Sequence, residues 1–254
     1  MNKPMIALLA LLLVSIPVFA QAEISNAELL QRLDEARFSD RSVTSIRVRI
    51  TSETPDEIRE AEVLVYFGEI DGASYARIEF LAPEELAGQI YLSTPDATYF
   101  YAPDLDFPIK TSATAELFGD AAVAQTSGIR FSNGYTIDER RSVVLEDGTE
   151  VWEIELVAVD DTIAFQFITL IVDPDALRPI SATLYGLSRF PFYAVHYEAY
   201  DTRDGTDLYV ARQRIVNLFL VGRQTTSETL EIGTEELPPS WFDPNALGPS
   251  GPPG

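Results

Sequence analysis

From residue 45 onward, apolar side chains recur at every second position. Ile46, Val48 and Ile50 alternate with Ser45, Arg47 and Arg49, the pattern of a strand with one buried and one wet face. The rhythm returns in 62–67, 75–81, 89–93 and 97–102. These runs are rich in β-branched or aromatic residues, and Asp71-Gly72, Pro83, Pro95-Asp96 and Pro103-Asp104 punctuate them as turns. It resumes in 135–138, 142–145, 151–157 (after an Asp147-Gly148 hairpin turn), 165–172, 179–185, 192–200, 208–220 and 226–232. About a dozen strands joined by hairpin-length turns predict one antiparallel meander.

Two stretches break period two. Ser25 followed by Glu28, then Leu29, Leu30 and Leu33, predicts a capping box opening an amphipathic helix that ends near Arg37. Residues 114–127 contain Ala115, Leu117, Phe118, Ala121, Ala122 and Ala124, which predicts a second, central helix weakened at Gly119 and stopped by Gly128.

Strand parity assigns the faces. Ala76, Ile78 and Phe80; Ile90 and Leu92; Trp152, Ile154 and Leu156; Ile180, Ala182 and Leu184; and Tyr193, Val195 and Tyr197 share the apolar parity. Arg77, Glu79, Glu153, Glu155, Ser181 and Thr183 take the other. A sheet of this size either splits into a sandwich or curls. A mainly β fold is expected: one large antiparallel sheet curved around its own apolar face, with the two helices as lid or plug. The apolar face either fills a core or leaves room for a ligand. In the second case the candidate wall is Ile46, Val48, Ile78, Phe80, Ile90, Leu92, Phe100, Leu117, Phe118, Trp152, Ile154, Leu156, Leu184, Val195 and Tyr197.

The N-terminus places this domain. Lys3, an apolar run from Met5 to Phe19 and the small residues Ala20 and Ala22 read as a secretory signal peptide over 1–22, cleaved after Ala22 or after Ala20. The run is shorter than the roughly 20 apolar residues that span a bilayer. The domain is expected over 23–247, followed by a disordered Gly/Pro/Ser tail at 248–254. The chain has no cysteine, so neither a disulfide framework nor a lipobox is present and the core alone must carry stability. Without Lys3 the balance is 17 basic against 40 acidic residues, 17 − 40 = −23. Such a surface repels nucleic acid and anionic headgroups.

Candidate chemistry is sparse. There is no nucleophile elbow, zinc-ligand cluster or glycine-rich phosphate loop. His196, the sole histidine, lies on the charged parity two residues before Glu198, where a surface strand histidine is the commoner reading. Asp104 with Asp106, and Asp160 with Asp161, lack calcium-loop spacing. The sequence reads as a binding protein without a cofactor rather than an enzyme.

Several stretches together resemble the outer-membrane lipoprotein-sorting family, the LolA-like periplasmic carriers. They are Leu30-Gln31-Arg32-Leu33-Asp34 before the first strand; Arg77 to Pro83, followed by Ala87-Gly88-Gln89-Ile90-Tyr91-Leu92; Thr98 to Pro103; Leu117-Phe118-Gly119-Asp120; and the closing Leu237-Pro238-Pro239-Ser240-Trp241-Phe242. The resemblance implies an unclosed β-barrel whose helices cover an apolar cavity. It also implies a monomeric periplasmic carrier of lipid or lipoprotein acyl chains, served by inner-membrane donor and outer-membrane acceptor proteins. A second reading of the same architecture is a periplasmic sensor or adaptor that binds a protein partner. One feature departs: the founding carriers hold their lid with the arginine of a lysine-arginine-proline turn, and the matching Phe67-Gly68-Glu69-Ile70 has none.

Overall fold

The computed structural model describes residues 24–38, 44–112, 116–122, 129–205 and 207–248. The expected signal peptide and nearly all of the expected tail lie outside them. The first element is α1 (Asn26–Arg37), capped as expected by Ser25, whose Oγ accepts the Glu28 amide at 3.2 Å. Leu29, Leu30, Leu33 and Ala36 form its buried stripe.

The strands are β1 (Ser45–Glu53), β2 (Ile58–Ile70), β3 (Ala73–Ala82), β4 (Ile90–Ser93), β5 (Thr98–Tyr101), β6 (Ile109–Thr111), β7 (Glu116–Phe118) and β8 (Ala121–Ala122), then β9 (Tyr135–Val144), β10 (Glu150–Ala158), β11 (Phe167–Asp173), β12 (Arg178–Tyr185), β13 (Pro191–Arg203), β14 (Asp207–Asn217) and β15 (Gln224–Gly233). A short helix, α2 (Phe131–Gly134), precedes β9. Thirteen strands make one antiparallel sheet in the order β6-β5-β4-β3-β2-β1-β15-β14-β13-β12-β11-β10-β9. Its edges, β6 and β9, do not pair with each other, so the sheet is an unclosed barrel. The pairing of β1 with β15 joins the first six strands to the last seven.

This topology creates the lid. The chain leaves the sheet at one edge, β6, and re-enters at the other, β9. The connection carries the β7–β8 hairpin and α2, and it lays Leu117, Phe118, Ala121 and Phe131 into the main core. That core combines α1, this crossover and the inward parity of the strands: Val48 and Ile50, Val63 and Val65, Ile78 and Phe80, Ile154 and Leu156, Ile168 and Leu170, Ala182 and Leu184, Val195 and Ile215.

The expected central helix over 114–127 is corrected where it can be seen. Residues 116–122 form the β7–β8 hairpin, with Gly119 at φ +59°. The alanine-rich sequence favours helix locally, but a close tertiary contact overrides it: a β-carbon at Gly119 would collide with Ser52, so the tip must be a bare glycine turn. The remainder of 114–127 lies outside the described residues, and the second helix is α2.

A second apolar cluster lies on the convex side. Tyr66, Ile90, Leu92 and Tyr101 pack beneath Trp241, Phe242 and Leu247 of the C-terminal segment. Trp241 meets the Tyr66 ring edge-on at 4.7 Å. The buried Arg77 guanidinium lies 4.9 Å from the Trp241 ring, donates to the Trp241 carbonyl at 3.2 Å and pairs with Glu79 at 2.6 Å. Trp241→Ala opens this outer layer and is expected to cost about 3 kcal/mol, read as a lowered urea midpoint with the concave core intact.

Candidate functional site

The concave face is the surface on which a ligand would be enclosed. Registers assign the expected wall residues to it or away from it. Ile46, Val48, Ile78, Phe80, Leu117, Phe118, Trp152, Ile154, Leu156, Leu184, Val195 and Tyr197 lie in or against the main core. Phe100 pairs with Tyr91, and their rings stand 4.8 Å apart; Tyr91 pairs with Ile78 and so faces inward.

Ile90 and Leu92 are a correction. They pair with Glu79 and Arg77, which places them on the opposite face from Ile78 and Phe80, under the C-terminal segment. Ile180 also changes side. A bulge at Ile171/Val172 sets Pro179 opposite Val172, which leaves Ile180 38% exposed.

Beside these side chains is a cavity of about 30 Å3, lined by Arg37, Ile129, Phe131, Ala182, Leu184, Val195, Tyr197, Gln213 and Ile215. That is room for about two water molecules, whereas ligand pockets run to roughly 300 Å3 and more. At this cavity an acyl chain fits only where the lid moves.

Two polar clusters hold the lid, and neither was anticipated as a site. At one, Asp34 at the end of α1 accepts the Phe131 amide at 2.9 Å with Oδ1. Its Oδ2 accepts the Ser132 amide at 2.9 Å and the Ser132 hydroxyl at 2.7 Å, which caps α2. Arg37 donates to Asp34 at 2.7 Å and to the Ile129 carbonyl, and lies 3.9 Å over the Phe131 ring. Burial disfavours the Arg37 charge, but Tyr197 and Asp34 outweigh it and raise its pKa.

The second cluster is at the hairpin tip. The Asp120 amide donates to Thr225 Oγ1 at 2.8 Å, and Asn217 Nδ2 donates to Asp120 Oδ1 at 2.6 Å. Arg223 Nε lies 3.6 Å from Asp120 Oδ2. Asp120 is 4% exposed, and a buried carboxylate without partners is costly. The Leu117-Phe118-Gly119-Asp120 stretch was visible in the sequence. Its partners Asn217 on β14 and Thr225 on β15 were not, because they lie about a hundred residues away.

His196 faces outward, paired with Ser181 and Arg214. Burial, then the Arg214 guanidinium, push its imidazole below the ordinary value, against the weaker pull of Glu198. Glu198 is itself held by Arg214 at 2.6 Å and Arg212 at 3.1 Å. It belongs to a ladder of ion pairs that runs from Glu62 through Arg49, Glu228 and Arg212 across the convex face. Among the described residues no three carboxylate or imidazole side chains converge as a metal site.

A family model described as an uncharacterized protein matches residues 72–248. No curated protein matches. Among solved structures, a LolA superfamily protein from Nitrosomonas europaea superposes with a TM-score of 0.78 at 20% identity, over 87% of this chain and 98% of that one. A putative outer membrane lipoprotein-sorting protein domain from Vibrio parahaemolyticus gives 0.73 at 15% identity, over 87% and 97%. A DUF1329 family protein from Desulfovibrio piger gives 0.71 at 17% identity, over the same shares. These likenesses establish the fold.

Two outcomes test the site. Gly119→Ala is expected to drive the tip off Ser52 and Thr225, raising amide exchange across 117–122 by at least tenfold while β10–β12 stay protected. The lowered His196 pKa means that the unfolded chain takes up its proton first, so stability declines as pH falls below about 6.5 and the decline ends once the folded imidazole is also protonated. His196→Gln should remove that part of the slope in a series of urea midpoints. The later acid loss should remain, because Glu62 and Glu198 have lowered values and lose their stabilisation only as pH falls through them.

Proposed function

We propose, from the premise that the chain belongs to a family of uncharacterized proteins and is built on the fold of the LolA superfamily, that it is an exported periplasmic carrier of lipid or lipoprotein acyl chains on its concave face. The observation that carries this reading is the relation of lid to sheet. The apolar face spans the sheet from β3, through β1 and β15, to β10, while the side chains that cover it come from the edge-to-edge crossover and α1. Those elements can lift without breaking a ladder of the thirteen-stranded sheet.

Exchange is the mechanism. An entering acyl chain takes the contacts that Leu117, Phe118 and Phe131 make in the closed state. Each methylene removed from water contributes about 0.8 kcal/mol, and vacating the lid's own contacts offsets part of that gain. The balance leaves cargo held well enough to cross water and loosely enough to hand on. The Asp120 cluster sets the closed-state term, taking the place of the arginine that 67–70 lacks. No covalent step is required.

Protein purified from a periplasmic extract is expected to carry co-purifying lipid in native mass spectrometry and, once stripped, to bind a fluorescent fatty acid. Asp120→Ala should speed probe uptake severalfold. Leu184→Arg should weaken binding at least tenfold, while Thr183→Arg, on the outward parity of the same strand, should leave it unchanged. Lipid-free protein that ignores the probe even as Asp120→Ala, and instead captures one protein partner, would favour the adaptor reading.

A further inference from the structure

The two ends of the sheet differ in chemistry. At one end every hairpin turn carries an aspartate: Asp71, Asp96, Asp147, Asp175 and Asp204. At the other end two adjacent turns carry none. They are 186–190, between β12 and β13, and 218–223, between β14 and β15. With Phe192 at the start of β13, they expose Leu187 (76%), Phe190, Phe219 (67%), Leu220 and Val221 (94%). The turns touch: the Phe190 and Phe219 rings stand 5.9 Å apart, and the Leu218 amide donates to the Phe192 carbonyl at 3.0 Å. Single exposed apolar residues are ordinary, but a contiguous cluster on a surface otherwise dominated by charge marks an interaction site.

We propose that this double turn is a membrane-docking tip that seats in the interface of a zwitterionic phospholipid bilayer. The tip is a projection rather than a groove, which suits entry into a deformable phase. Part of its backbone is satisfied internally, as seating out of water requires. Asn217 Oδ1 accepts the Phe219 amide at 2.9 Å and the Leu220 amide at 2.8 Å. The Arg223 amide donates to the Leu220 carbonyl at 3.3 Å, and the Arg189 amide to the Gly186 carbonyl at 3.0 Å. Phenylalanine, leucine and valine supply the buried area.

Charge selects the kind of lipid. Residues 176–197 and 208–227 contain no Asp or Glu, in a chain that has 40 in 254 residues. The two stretches build the tip and its supporting strands. The turns on either side carry Asp56 with Glu57 and Asp160 with Asp161. The tip carries Arg189 and Arg223 and is flanked by carboxylates, on a chain of formal charge −22; this mixture matches headgroups that present both a phosphate and an ammonium group, while the net charge of the chain repels net anionic lipid.

The tip also adjoins the lid. Asn217, whose oxygen caps the Phe219 turn, holds Asp120 of the hairpin through its nitrogen. Docking therefore brings the lid contact to the bilayer. The inference does not depend on the carrier reading, because membrane seating and acyl binding are measured separately.

The test uses the full mature chain and vesicles of phosphatidylcholine and phosphatidylethanolamine. Wild type is expected to float with the vesicles. Phe219→Asp combined with Val221→Asp should lower the bound fraction at least tenfold, with unchanged circular dichroism and unchanged binding of a fluorescent fatty acid in solution. Val144→Asp, at the opposite end and 66% exposed in the wild type, should have no effect, and replacing a third of the lipid with phosphatidylglycerol should weaken binding. Val221→Trp should shift its emission to the blue on vesicle addition. Wild type that stays in the aqueous fraction overturns the proposal, as does equal loss in Val144→Asp. A tip-dependent dimer that ignores vesicles overturns it in favour of a second copy as occupant.

Discussion

The pairing of β1 with β15 is the constraint on which the rest of the molecule depends. It fuses a six-stranded and a seven-stranded half into one sheet and so turns two half-cores into one concave face. It also leaves the free edges at β6 and β9, which the chain must connect in mid-sequence. A connection between opposite edges of a curved sheet crosses the concavity, because crossing outside would expose its own apolar side chains. The lid is thus a consequence of strand order, and its Leu117, Phe118 and Phe131 belong to the core by necessity.

That arrangement separates strength from movement. The ladder hydrogen bonds and the convex ion pairs hold the sheet, while the lid is held by local polar groups: Asp34 capping α2, and Asp120 between Asn217, Arg223 and Thr225. Buried polar clusters of this kind depend on their partners, and among the described residues Asp120 Oδ2 accepts no hydrogen bond. The cavity beside Arg37 and Tyr197 holds about 30 Å3, so a larger guest at that place requires the lid elements to move.

The outer surface is organised with equal economy. Arginines on β1 and β14 neutralise glutamates across the convex face, and at one end of the sheet every hairpin turn carries an aspartate. The apolar double turn stands at the other end, beside the Asp120 contact. The C-terminal segment uses Trp241 and Phe242 to cover β2 to β4, which makes both faces of β4 apolar.

The sequence by itself determined the period-two strands, the Ser25 cap, the inward parity of Ile78, Phe80, Ile154, Leu156, Leu184 and Val195, and the mainly β curved sheet. Each of those is a local statement about alternation or capping. Only the tertiary structure decided the rest. Ile90 and Leu92 change face because β4 is covered on both sides, and a strand apolar on both parities carries no periodic signal. Ile180 changes face because a bulge shifts the count by one. Residues 116–122 became a hairpin because Ser52 and Thr225, distant in sequence, leave space for nothing larger than Gly119. Which turns share an end of the barrel, and hence where the exposed phenylalanines gather, follows from strand order, which no local pattern encodes.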